Sequence, residues 1–339
     1  MQYWWRSIGE WLFNDDFELR AGSGPQWFGE GFVLEQRLVL GALAPLAAAP
    51  SVSANGNEQA ETASHEESVT STSTAAYTSG LALLPSHELE EVKSPNVLAE
   101  ADEPIAFDSV TSISAVDVED IALGPCAVGT CLFLADVGDN AEKRATVQIV
   151  IVPEKTRYKK SEKPLRIVTA KYPDKAHNVE GVAIHPTSGD LYLITKSFDQ
   201  TNRRALVAKV FKLTARQMAK PGAVETFSEV GEIDLPYLLY DYGLPGQIVT
   251  GLDISDDGQR AIAITYQNAI EMALDFAAPM KASRTWKPNV DYRVIETAKL
   301  PQTEAVAYTT TGHGFIYDSE TVKDGAESPL YRQTCAGAP

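Results

Sequence analysis

Short apolar runs alternate with Gly, Pro and Asp turns from about residue 81 onward, and none keeps a helical period, so the globular part reads as all-β. One strand recurs within it. VEDIAL at 118–123, VEGVAI at 179–184, VTGLDI at 249–254 and TEAVAY at 303–308 are versions of the same element. Each passes through a turn, such as HPTSGD at 185–190 or SDDG at 255–258, into a second apolar run at 132–135, 191–195, 261–266 or 314–317. Third runs follow at 146–152, 206–213, 269–274 and 329–333. Fourth runs close three of the units and end on proline, in AKYP at 170–173, IDLP at 233–236 and AKLP at 298–301. A terminal proline suits an outer strand, because it cannot donate to a further ladder.

Four strands per unit, repeated every 54 to 70 residues, predict a β-propeller of four-stranded blades. Five or six blades are expected, with residues 83–114 as a degraded first blade. A two-sheet sandwich is the alternative, but it would not require one strand to recur four times.

Ahead of the propeller domain, expected over 81–339, residues 55–80 are mainly Ser, Thr, Ala, Glu and Asn. Such a stretch cannot offset its ordering entropy and reads as a disordered linker. Residues 1–54 read as a leader containing a signal-like segment: Arg37, an apolar stretch at 38–48, and small residues at 52–54 before a cleavage point at Ala54. The apolar stretch is too short to span a bilayer. Residues 1–32 are either a gene-model extension, with translation starting near Val33 or Leu34, or a disordered or amphipathic leader. The expected location is secreted or periplasmic.

Cys126 and Cys131 lie five apart in a Gly-containing loop, with Cys335 left over. Metal ligation by the pair would need further Cys or His at suitable spacing, so a disulfide in an oxidising compartment is expected. The net charge of −17 argues against nucleic acid and anionic lipid as partners. A monomer with a protein, glycan or small-molecule ligand is expected, and cationic ligands fit the charge.

In a propeller the first strand of each blade lines the axis, which brings Glu119, Glu180 and Glu304 to one register, with Thr250 in the fourth. Three carboxylates there repel unless a cation, a proton or a basic side chain intervenes. Two readings stay open: oxygen ligation of a hard cation, Ca²⁺ foremost, or carboxylates that accept backbone N–H bonds from neighbouring blades. Asp136, Asp139 and Asn140, at the end of a second strand, suit a tight turn or further metal ligands on the same rim. His177 and His185 could serve as base or phosphate donor and are equally ordinary loop residues. Arg144 and Lys196 could hold an anion beside the metal or pair with the surplus acids. There is no nucleophile elbow, Walker loop, zincin motif or dinucleotide fingerprint.

From VEDIALGP at 118–125 through LADVGDN at 134–140 with Arg144, the chain resembles a group of uncharacterised secreted bacterial propeller proteins. The likeness continues through YPD at 172–174, HNVE at 177–180, GDLY at 189–192, Thr195 and Lys196, Thr250 and Gly251, and TEA at 303–305. It covers roughly 117–335 and implies a propeller without an assigned activity. More distantly, the Glu-bearing strands are similar to those of calcium-dependent propeller hydrolases of the phytase-like and lactonase-like kinds, an analogy of fold only. Before residue 117 the chain departs from its nearer relatives, since 83–114 lacks the Asn-Asp-Ser-Gly-like turn of a complete blade.

Two functions compete. One is an extracytoplasmic binding or scaffold propeller, with calcium fixing the channel. The other is a calcium-dependent phosphoesterase or esterase acting at the channel mouth, in which a carboxylate or His177 activates water. The first is preferred because no dedicated base or nucleophile stands out.

Overall fold

In a computed structural model the described residues are 87–92, 109–110, 113–155, 158–159, 161–300, 302–309, 314–319 and 330–335. The signal-like segment and the linker lie outside them. Four antiparallel sheets follow one another along the chain as blades of a β-propeller. The first contains Val118–Cys126, Gly129–Asp136, Val147–Pro153 and Arg166–Lys171. Val179–Ile184, Leu191–Thr195, Ala208–Leu213 and Ser228–Ile233 form the second. The third has Val249–Ile254, Arg260–Thr265, Asn268–Ala273 and Tyr292–Glu296. Thr303–Tyr308, Gly314–Ser319 and Leu330–Cys335 begin the fourth.

The outer strand of the fourth blade comes from the other end of the domain. His87–Val92 pairs antiparallel with Leu330–Cys335, from His87 opposite Cys335 to Val92 opposite Leu330. This segment falls within the stretch expected to form a degraded first blade. It joins the last blade instead, so the described residues hold four blades, and an early segment of the domain is tied to the latest strand. A second tie runs between the first two blades, where Val224–Thr226 lies parallel to Arg166–Lys171. That outer strand is therefore covered, although it ends just before Pro173.

Blades bury both faces against their neighbours, which explains why their strands read as nearly continuous apolar runs. In Arg260–Thr265 the two faces differ: Ala261 and Ala263 pack toward the second blade with Ile194 and Val210, while Ile262 and Ile264 pack toward the fourth with Val306, Phe315 and Tyr317. Between the first two blades the filling includes Phe133, Ile149, Leu193 and Phe211. Cys126 and Cys131 form a disulfide across the end of the first hairpin, and Cys131 belongs to that same core.

Inner strands of successive blades approach at backbone distance. A Cβ added at Gly181 would stand 2.8 Å from the Cβ of Leu252 and 3.0 Å from the backbone of Gly251; one added at Gly251 would stand 2.9 Å from the carbonyl oxygen of Glu304. Gly181 and Gly251 are thus packing requirements of the axis. Gly251→Val should lower stability by roughly 1–3 kcal/mol, the range for overpacking a filled core. Denaturant unfolding measures this, and a variant as stable as the parent would show that the strands are not so close.

Candidate functional site

Each inner strand carries a β-bulge at its second residue. Val118 faces Asp136 and Asp120 faces Ala135, which leaves Glu119 as the extra residue, and the same slip isolates Glu180, Thr250 and Glu304. A bulge re-aims a side chain. Here it does so four times at one level of the axis, and all four side chains are buried.

The residue two positions earlier holds the carboxylate. Asn178 Nδ2 donates to Glu180 Oε1 at 3.2 Å, and Gln302 Nε2 donates to Glu304 Oε1 at 2.8 Å. In the first blade the corresponding residue is Asp117, which hydrogen-bonds to Glu119. Burial raises the pKa of Asp117, with Glu180 and Asp136 adding to the effect. Thr250 has no such neighbour; its hydroxyl donates across to the carbonyl of Thr303 at 2.7 Å.

Two basic side chains offset part of this acidity. Lys196 Nζ donates to Glu180 Oε1 at 3.0 Å and to the Tyr266 hydroxyl at 2.8 Å. Burial alone would lower the pKa of Lys196, but Glu180, Tyr266 and Glu304 outweigh it and hold the ammonium well above its usual value. Glu180 therefore holds a tethered cation whose charge is also felt by Glu304. Arg144 supplies the other charge, pairing with Asp136 at 3.0 Å and donating to the Gly138 carbonyl at 2.8 Å.

The loop after the first blade's second strand joins the same rim. The backbone N–H of Asp139 donates to Asn178 Oδ1, Asn178 Nδ2 reaches Asn140 Oδ1, and Asp139 Oδ2 accepts from the backbone N–H of Arg144. Glu180, Asp139 and Asn140 meet through Asn178. Asp136 Oδ1 accepts from the backbone N–H groups of Val116 and Asp117, while its Oδ2 is buried without a hydrogen-bond partner. Gly138 leaves room for these acids, since a Cβ there would run into Glu119 Oε1 and Asp117.

His177 stands apart. Its ring packs on Tyr172 and Phe211, and Nε2 meets Asp174 Oδ1 at 2.9 Å. Burial opposes ionisation of Asp174, but the bonds from His177 and from the Lys175 backbone N–H hold its carboxyl well below the usual range. His185 lies in its turn, where Nδ1 accepts from the Ser188 backbone N–H.

Two carboxylates absent from the expected set fill the axis. Asp120 Oδ2 accepts from Val182 N at 2.8 Å and Leu252 N at 3.4 Å, so one side chain ties the first blade to the second and third. Asp253 Oδ2 accepts from Tyr308 N at 2.7 Å, tying the third blade to the fourth. Acceptance of N–H bonds from other blades, anticipated for the glutamates, is seen at these two aspartates. A cation site does not follow from the donor set: among the described residues no three or more His, Cys, Asp or Glu side chains are grouped to hold a metal ion.

No known family model matches the chain. No curated protein resembles it in sequence. Among solved structures, similarity is found to a calcium structure of a Trichoderma reesei carbohydrate-active enzyme of family AA12, with a TM-score of 0.40 and 10% identity over 69% of this chain and 73% of that one. A putative 6-phosphogluconolactonase from Bacteroides uniformis gives 0.34 and 12% over 71% and 63%. An auxiliary nutrient-binding protein from Bacteroides thetaiotaomicron gives 0.34 and 11% over 62% and 44%. Likenesses this distant add nothing to the reading of the site.

Asp253 makes the axis sensitive to pH. Burial raises its pKa from 3.8 to about 7, against the pull of the N–H bonds from Tyr308 and Ile254, with Asp256 adding to the rise. For an acid shifted upward, the stabilising contribution is full below the unfolded value and is lost as pH rises through the folded one. Between pH 4 and 7 Asp253→Asn should therefore gain on the parent by an amount on the order of a few kcal/mol. Melting curves across that range check this, and a difference independent of pH would contradict it.

Proposed function

We propose that the chain is an extracytoplasmic binding propeller whose axial mouth is a rigid recognition surface rather than a reaction centre. One observation carries the reading: the side chains best suited to activate water already serve structural partners. Glu180 Oε1 takes both the Lys196 ammonium and the Asn178 amide, and His177 is engaged by Asp174. A general base needs an acceptor that can reach a substrate proton.

Calcium is not required by this reading, because Lys196 and Arg144 supply cationic charge where the acids gather. Export is supported by the Cys126–Cys131 disulfide, which suits an oxidising compartment. Among the described residues no helix is long and apolar enough to cross a membrane. The chain is expected to turn over neither p-nitrophenyl phosphate nor p-nitrophenyl acetate, with calcium or with EDTA. Chelator-sensitive hydrolysis of either ester would replace binding by the hydrolase reading.

A further inference from the structure

The connection between the second and third blades presents tyrosines on the face that bears the axial mouth. It runs from the end of Ser228–Ile233 to the start of Val249–Ile254, whose second residue is the bulged Thr250. Asp234 caps a short helix, α1, at Leu235–Leu238, with Pro236 in its first turn; a 3-10 turn follows at Tyr240–Tyr242. Leu235, Leu238 and Leu239 are buried in the core shared by the two blades. Leu244 packs with Tyr266, and Asn268 Nδ2 donates to the Gly246 carbonyl at 3.1 Å. The segment is fastened at both ends, the later one beside Tyr266, the partner of Lys196.

Between these anchors Tyr237 and Tyr240 project outward, 70% and 78% exposed. Tyr237 lies in α1 and Tyr240 opens the 3-10 turn, on either side of the buried Leu238 and Leu239. Aromatic side chains held on a fixed backbone lose little entropy when a partner covers them, and tyrosine is enriched among the residues that dominate interface energy. The charge of the connection itself sets the sign of the partner. Residues 221–259 contain no Lys, Arg or His, while Glu232, Asp234 and Asp241 flank the tyrosines. Asp241 lies near both Tyr242 and Tyr292: burial raises each phenol's pKa, and this carboxylate raises it further.

We propose that Tyr237 and Tyr240 form a docking surface for a basic peptide segment of a partner protein, whose Arg or Lys side chains stack on the rings while Asp234 and Asp241 meet their charge. The proposal rests on the binding reading and names its partner class. An aromatic pair among carboxylates favours a cation over an uncharged ligand, because ring faces and acids both attract positive charge.

The test is fluorescence anisotropy with a labelled peptide of alternating arginine and glycine, a glycine-serine peptide and cellohexaose as probes of the full chain. The basic peptide is expected to bind, more weakly as salt is added. Tyr237→Ala/Tyr240→Ala should weaken it about tenfold, while Tyr237→Phe/Tyr240→Phe, which keeps both ring faces, should stay close to the parent. Undetectable peptide binding, or equal binding by the alanine variant, would overturn the proposal; the latter would mean that the overall negative charge alone attracts the peptide. Cellohexaose binding lost in the alanine variant would overturn the partner class and leave the binding reading standing. Hydrolysis in the ester assays would remove that reading itself.

Discussion

The axis is held together by carboxylates that accept backbone N–H bonds from blades other than their own. Strands that converge on an axis bring unpaired N–H groups toward it, and a buried N–H must find an acceptor. Asp120 provides one for Val182 and Leu252, and Asp253 provides one for Tyr308. The glycines at 181 and 251 allow the close approach these bonds need. Replacing either aspartate with an apolar residue would strand donors from two blades, so packing, hydrogen bonding and ring geometry depend on the same few positions.

Above that level the structure handles acidity differently. Glu119, Glu180 and Glu304 are turned by bulges and steadied by the side chain two residues earlier. Amides do this in the second and fourth blades, and the hydrogen-bonded acid Asp117 does it in the first. Lys196 then offers a tethered ammonium to Glu180 within electrostatic reach of Glu304. A buried ion pair of this kind specifies geometry more than it adds stability, because desolvation offsets much of the Coulomb gain. A mouth whose carboxylates are held in place by amides, backbone N–H groups and two cations suits recognition, which needs fixed shape, more than acid-base chemistry, which needs a group free to exchange a proton.

Much of this could be read from the sequence. The recurring strand revealed the blades, and the five-residue spacing of Cys126 and Cys131 anticipated their disulfide. The shared register of Glu180 and Glu304 put them near one another, and Lys196 was visible as a possible counter-charge. His87–Val92 was not readable as the outer strand of the last blade, because its partner lies more than two hundred residues away and no local pattern specifies long-range pairing. Asp120 and Asp253 escaped notice because each occurs at its repeat position in one blade only, with glycine or alanine elsewhere, so no shared acid marked them. The pairing of Asn178 with Glu180 and of Gln302 with Glu304 had a signal, an amide two residues before each glutamate. Its meaning depended on the bulge between them.

The central claim, that the chain holds its axial carboxylates with its own side chains and needs no metal ion, is tested most directly by melting the purified protein in EDTA and in excess calcium. The account predicts the same melting temperature in both. A calcium ion bound only to the folded state would add about 2.7 kcal/mol at a hundredfold excess over its dissociation constant. A rise of several degrees with calcium, reversed by EDTA, would contradict the account and return the carboxylates to the role of metal ligands.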